Sequence, residues 1–216
     1  MAAYDLEEQE QLSAIKAWWE ANGNRVTGAV LALVLVVAGV QGWRWYQTRQ
    51  AAEAGAIYGK LAEAEQAKDM ATLRVLSDEI ISKHGNSSAA ELAALLAAKA
   101  ELDAGDSKAA RAKLEWAASK GWDPLLRDLA RLRLASVQLD EKDYPAALKT
   151  LEAAPAQAFT ARFEDLRGDV LFAKGDSTAA RDAYKKAVDA IAQQSAQQSA
   201  GFRSAVQTKL EALGGA

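Results

Sequence analysis

The chain has no cysteine, one histidine and only three prolines in 216 residues. Without a thiol there is no disulfide, no thiolate metal site, no cysteine nucleophile and no acylated cysteine. The single histidine, His84, sits in a Gly/Asn/Ser stretch with no second ligand at metal-site spacing. A net charge of -3 gives no basic face for nucleic acid. There is no Gly-rich phosphate loop and no G-x-S-x-G, and Ser77 and Ser136 have no histidine to activate them. Adjacent acidic pairs such as Asp140-Glu141 and Glu164-Asp165 point to different sides of a helix and read as solvated faces. The expectation is a non-enzymatic protein with no catalytic residue, no cofactor and no metal.

What the chain does have is one long apolar stretch, RVTGAVLALVLVVAGVQGWRWY, at 25–46, uncharged from Val26 to Trp43 between Arg25 and Arg44. About 20 residues at roughly 1.5 Å each match a bilayer core of about 30 Å. Trp18 and Trp19 lie before the run, and Trp43, Trp45 and Tyr46 close it, where amphipathic rings would meet the two headgroup layers. A cleaved signal would want a basic start, yet Asp5, Glu7, Glu8, Glu10 and Glu20 outweigh Lys16. The small-x-small triplet Ala52-Glu53-Ala54 falls past Arg44 and Arg49, too far from the apolar run to serve as its cleavage site. The reading is an acidic segment at 1–24, an uncleaved transmembrane helix at 25–46 and a soluble domain at 47–216. Lys16 and Arg25 on one side face Arg44, Arg49 and Lys60 on the other, so charge does not set the orientation.

The soluble part is rich in Ala, Leu, Lys, Glu and Arg, which favour helix, and lacks sustained β-branched alternation. Three stretches superimpose: LLAAKAELDAGDSKAARAKLEWA from Leu95, LRLASVQLDEKDYPAALKTLEAA from Leu132 and LRGDVLFAKGDSTAARDAYKKAV from Leu166. Gly105, Lys142 and Gly175 align, each followed by an aspartate, at periods of 37 and 33 residues. Such periods fit a tetratricopeptide-like helical hairpin, with repeats at about 91–118, 128–155 and 161–190. Gly105 and Gly175 suit the end of a first helix, and Asp106, Asp143 and Asp176 suit N-caps of the second. Ala98, Ala135 and Gly168 on first helices, and Ala110, Ala147 and Ala180 on second helices, allow close approach. Leu114, Leu151 and Tyr184 supply the bulk between layers. A divergent unit with a turn near Lys68-Asp69 precedes the array, and a last helix is expected over Phe202 to Leu213. The fold class is all-α: one N-terminal transmembrane helix followed by a tetratricopeptide-like solenoid.

LEWA at 114–117, LARLRLASV at 129–137, LRGDVLFAKGD at 166–176 and AARDAYKKAV at 179–188, behind an apolar helix and the acidic YDLEEQEQL at 4–12, resemble the YfgM family. These are the ancillary SecYEG translocon subunits of Gram-negative bacteria. The resemblance implies a single-pass inner-membrane protein with a cytoplasmic N-terminus and a periplasmic repeat domain. It implies as partners the SecYEG translocon and a periplasmic chaperone such as PpiD, with transfer of emerging proteins to chaperones as the role. A cytoplasmic stress response regulator restrained by the N-terminal segment is the alternative role that it implies.

Repeat arrays of this kind present first-helix faces to peptides or partner helices. From their offset to the packing positions, Lys99, Glu101, Arg131, Arg133, Gln138, Asp169 and Phe172 are expected to face outward and to be candidates for partner binding. Trp116 and Phe163 are expected in the core, and Trp122 and Phe159 at a contact surface.

Overall fold

The structure, a computed structural model, describes residues 2–193 and 196–214, with side chains described outside 2–10 and 196–199. Among them are nine helices and no strand: α1 (Ala2–Gln66), α2 (Met70–His84), α3 (Ser88–Asp103), α4 (Ser107–Lys120), α5 (Pro124–Asp140), α6 (Tyr144–Thr150), α7 (Gln157–Lys174), α8 (Ser177–Ala192) and α9 (Ala196–Ala212). The chain divides into two compact units, Met1–Gln50 and Ala51–Ala216.

In the first unit α1 carries the apolar run, and this is the one segment among the described residues long and apolar enough to cross a membrane. Its aliphatic side chains, from Val30 through Val40, are exposed along the helix. A soluble helix with that surface would be unstable in water, whereas in lipid both the side chains and the internally bonded backbone are satisfied. At its end Trp43 tilts against Tyr46, with ring centres 6.2 Å apart, and the Arg49 guanidinium lies over the Trp45 ring at 5.7 Å. Such pairs hold amphipathic rings beside a cation, the chemistry of a headgroup layer.

In the second unit the chain folds into antiparallel hairpins joined by one recurring turn. Lys68, Gly105, Lys142 and Gly175 all take positive φ, between 56° and 94°. The amide of the following aspartate then donates back to Ala64, Glu101, Gln138 or Leu171 at 2.8–2.9 Å, closing the first helix with a Schellman turn. The same aspartate opens the second helix: Asp69, Asp106, Asp143 and Asp176 accept from Thr72, Ala109, Ala146 and Ala179. One residue pair thus ends one helix and starts the next, and the unit around Lys68-Asp69 uses the same device as the other three. In the third hairpin Pro145 sits in the first turn of α6, where a missing N–H does no harm. That helix is short, ending at Thr150 with Leu151 as its cap, and Pro155 and the residue before it disfavour helix further on.

The core is a chain of small clusters between successive helices rather than one centre. Ala94, Ala98, Ala110, Leu114, Ala117, Ala130, Leu134 and Val137 form one of them. Ala135, Ala147, Leu151, Phe163 and Val170 form the next, and Ala161, Ala180, Tyr184, Ala187, Ile191 and Val206 bring in α9. Alanine at the crossing points lets helices approach, and Leu114, Leu151 and Tyr184 fill the layer between them. Gly168 is required by the closest of these approaches: a Cβ there would lie 2.4 Å from the Tyr184 ring.

Candidate partner-binding surface

First helices α3, α5 and α7 present corresponding positions at the same 37- and 33-residue periods as the turns. Lys99, Ser136 and Asp169 form one such row, and Leu102, Leu139 and Phe172 another three residues on. Leu102 is 38% exposed and Phe172 54%, while Leu139 between them is partly buried. Exposed apolar side chains at a repeated position make an elongated surface that an isolated exposed leucine would not.

The seven residues expected to face outward separate into three groups. Phe172 is exposed and apolar. Lys99, Arg131, Arg133 and Asp169 reach the surface but are engaged. Lys99 Nζ meets Glu65 Oε1 at 3.1 Å and Asp103 at 3.6 Å. Arg131 pairs with Asp128 at 2.9 Å, and Arg133 donates to the Leu95 carbonyl at 3.3 Å. Glu101 and Gln138 do not face outward; they are only 1% and 4% exposed. Both lie four residues before the left-handed residue of their turn, on the side of the first helix turned toward neighbouring helices. Gln138 Oε1 accepts from Thr150 at 2.8 Å, and Glu101 lies 3.6 Å from Arg74 Nε with its Oε2 unpartnered. Burial raises the Glu101 carboxyl above the ordinary carboxylate value, against the pull of Lys113 and Arg74.

Several aromatic and polar residues complete the picture. Phe163 is buried and Trp116 packs on two clusters; Trp122 is 68% exposed. Phe159 instead packs on the Ala135 and Leu151 cluster, because it lies in the first turn of α7 over the short α6. His84 ends α2 rather than standing in a loop. Glu91 and Asp128 are structural carboxylates whose importance is not evident from composition. Both Glu91 oxygens accept from the Asp123 amide, at 2.8 and 3.1 Å, and Asp128 Oδ2 accepts from the Ala156 amide at 2.8 Å. They lie 37 residues apart, each near the start of a first helix and each holding the connection out of the following second helix. That shared period is the signal by which sequence reading could find them. Burial raises the Glu91 pKa, partly offset by the amide that it accepts from.

At the C-terminal end Lys209 of α9 reaches Asp165 at 2.8 Å and both oxygens of Asp169 at 2.7 and 2.8 Å. The Tyr184 hydroxyl donates to the same Asp169, at 2.8 Å. Burial is the largest influence on Lys209 and disfavours its charge, but the two carboxylates together outweigh it and raise its pKa. Asp169 is therefore committed to closing the array. A shallow open depression of about 320 Å³ lies between α7 and α8, lined by residues such as Gln157, Thr160, Glu164, Lys186 and Asp189. No cluster of metal-ligating residues occurs among the described residues.

Residues 16–215 match the family model for a tetratricopeptide repeat-like domain. A protein of Haemophilus influenzae named as an ancillary SecYEG translocon subunit is 32% identical over 188 residues, covering 86% of this chain and 90% of that protein. One of the same name from Aggregatibacter actinomycetemcomitans is 32% identical over 190 residues, with 86% of this chain and 90% of that protein covered. One from Neisseria gonorrhoeae is 31% identical over 217 residues, spanning 99% of this chain and 100% of its own. With an apolar N-terminal helix, a repeated hairpin turn and relatives along nearly its whole length, the chain belongs to the YfgM family of tetratricopeptide repeat-like proteins.

Proposed function

We propose that this protein is a single-pass inner-membrane adaptor of the SecYEG translocon, with residues 1–24 in the cytoplasm and the repeat array in the periplasm. The array receives segments of proteins emerging from the translocon and passes them to a membrane-anchored chaperone of the PpiD kind. The names and extent of the relatives support the translocon as partner. The observation that carries the adaptor reading is the row of first-helix positions ending in the exposed Leu102 and Phe172. An apolar row bordered by Lys99 suits a short amphipathic segment, held weakly enough to be released. Tethering by α1 raises the local concentration of the array beside a membrane partner, so weak contacts are occupied without tight binding.

Photo-crosslinkers placed in cells at Lys99, Arg131 and Phe172 test this reading. Translocon subunits, the chaperone or their shared substrates are the expected products, and the absence of all three from intact membranes would sink it. A regulatory scaffold is the second reading, favoured by the acidic side chains at Asp5, Glu7, Glu8 and Glu10. In that case deletion of residues 1–15 alters stress output in the cytoplasm and leaves the crosslinks of the array unchanged.

A further inference from the structure

Residues 51–66 of α1 run parallel to α3: Ala54 shares a cluster with Ala90 and Ala93, and Ala64 shares one with Ala97 and Ala100. α3 and α5 are parallel as well, since Glu91 binds the start of α5 while Ala98 packs in the cluster of Leu134 and Val137. The starts of these helices, and the connections into α3 and α5, therefore form one edge of the second unit, and the unit begins on that edge at Ala51. Ala51 follows Tyr46 by five residues. However the two units are oriented, an extended chain of that length spans at most about 18 Å.

The connection on this edge at Gly121 to Asp123 carries an exposed indole. Trp122 is 68% exposed and Leu125, in the first turn of α5, 51%. Lys120, in the last turn of α4, makes no ion pair among the described residues. Arg127 makes no direct ion pair either, although its charge acts on Glu91. Asp123 is engaged in capping Leu125 and Leu126, and Glu152 is the acidic residue of the next connection along the edge. The patch is not loose. Glu91 accepts twice from the Asp123 amide, and Gly121 packs so closely on Glu91 that a Cβ would lie 2.4 Å from Oε1.

We propose that this edge, through Trp122, Leu125, Lys120 and Arg127, docks on the anionic lipid surface of the membrane in which α1 is anchored. Indole and aliphatic groups partition into the headgroup boundary, and cations there are attracted to anionic lipid. The tether confines the edge near that surface, and the Glu91 clamp presents the indole in fixed form, so little order is lost on contact. The docking limits how the array can turn and is independent of which protein the array binds.

The chain has no cysteine, so Ser119→Cys gives one labelling site beside the patch. The full chain is reconstituted into vesicles of phosphatidylethanolamine and phosphatidylglycerol, or of phosphatidylcholine alone, and a fluorophore at this site is quenched by spin-labelled lipid. The expected result is quenching at least about twofold stronger in the anionic vesicles, reduced by high salt as for a surface charge contact. Trp122→Ser with Leu125→Ser abolishes the difference without lowering the thermal midpoint, and Lys120→Glu weakens it. A label unquenched in every composition, as for a surface reserved for a protein partner, overturns the proposal; so does quenching indifferent to the Trp122→Ser pair. Flotation of the labelled chain with the vesicles reports the anchor separately, and failure to float would overturn anchoring and docking together.

Discussion

Tyr184 packs directly over Gly168 with its hydroxyl on Asp169, so Gly168→Ala forces a methyl into the ring. A destabilisation of about 1–3 kcal/mol is expected from such overpacking, measured by urea unfolding of the full chain in detergent. Glu101 makes a prediction of opposite sign. Its folded pKa lies above the ordinary 4.5, because burial disfavours the charged form. Between those two values the folded state binds more protons than the unfolded one, so stability falls as pH rises through that window and stays lower above it. Glu101→Gln removes the cost, so the variant is more stable than the parent at neutral pH and the gain vanishes below the ordinary glutamate range. An equal difference between the two at both pH values would show that burial is not the cause. Gly168 and Tyr184 were legible because small and large residues recur at fixed offsets from the turn. Glu101 and Gln138 were not, because a polar residue read by offset alone is assigned to water. Their recurrence four residues ahead of successive left-handed positions is what marks the inward face.

The hairpin turn is the element that repeats most faithfully. Two of its four left-handed residues are lysines, Lys68 and Lys142, in a conformation that disfavours any Cβ by roughly 1–2 kcal/mol. Lys142→Gly is therefore expected to raise stability by up to about 1 kcal/mol, and Gly175→Ala to lower it by a similar amount, both read as shifts in denaturant midpoint. The connections between hairpins depend on different chemistry. Glu91→Ala removes both acceptors from the Asp123 amide and leaves a buried space, with an expected loss of about 1–3 kcal/mol. Hydrogen exchange should report this as faster exchange at Asp123, with the amides of α8 unchanged. The turns could be read from sequence because glycine, lysine and aspartate fall in register at Gly105, Lys142 and Gly175. The clamps could not, since Glu91 and Asp128 look like ordinary helix carboxylates until their distant amide partners are known.

At the scale of the molecule, a helix with an apolar surface carries a neutral array whose cores pass from hairpin to hairpin. Each α-hairpin buries its face only against its neighbours, so stability is a sum along the array and the ends need closing. Lys209 closes one end through Asp165 and Asp169. Lys209→Ala leaves those carboxylates without their cation and is expected to loosen α9 first, seen as proteolysis within 196–212 before the rest of the unit opens. The architecture was legible because hydropathy and period survive divergence. The identity of the partner was not, because exposed leucine and phenylalanine at Leu102 and Phe172 describe a surface without naming what covers it. The measurement that bears most directly on the adaptor reading is isolation of the full chain from native membranes in mild detergent, with copurifying proteins quantified. The account predicts translocon subunits with the parent chain, depleted at least about fivefold when Leu102→Glu and Phe172→Glu are combined. Absence of translocon subunits from the parent preparation, or recovery unchanged by those two substitutions, would contradict it.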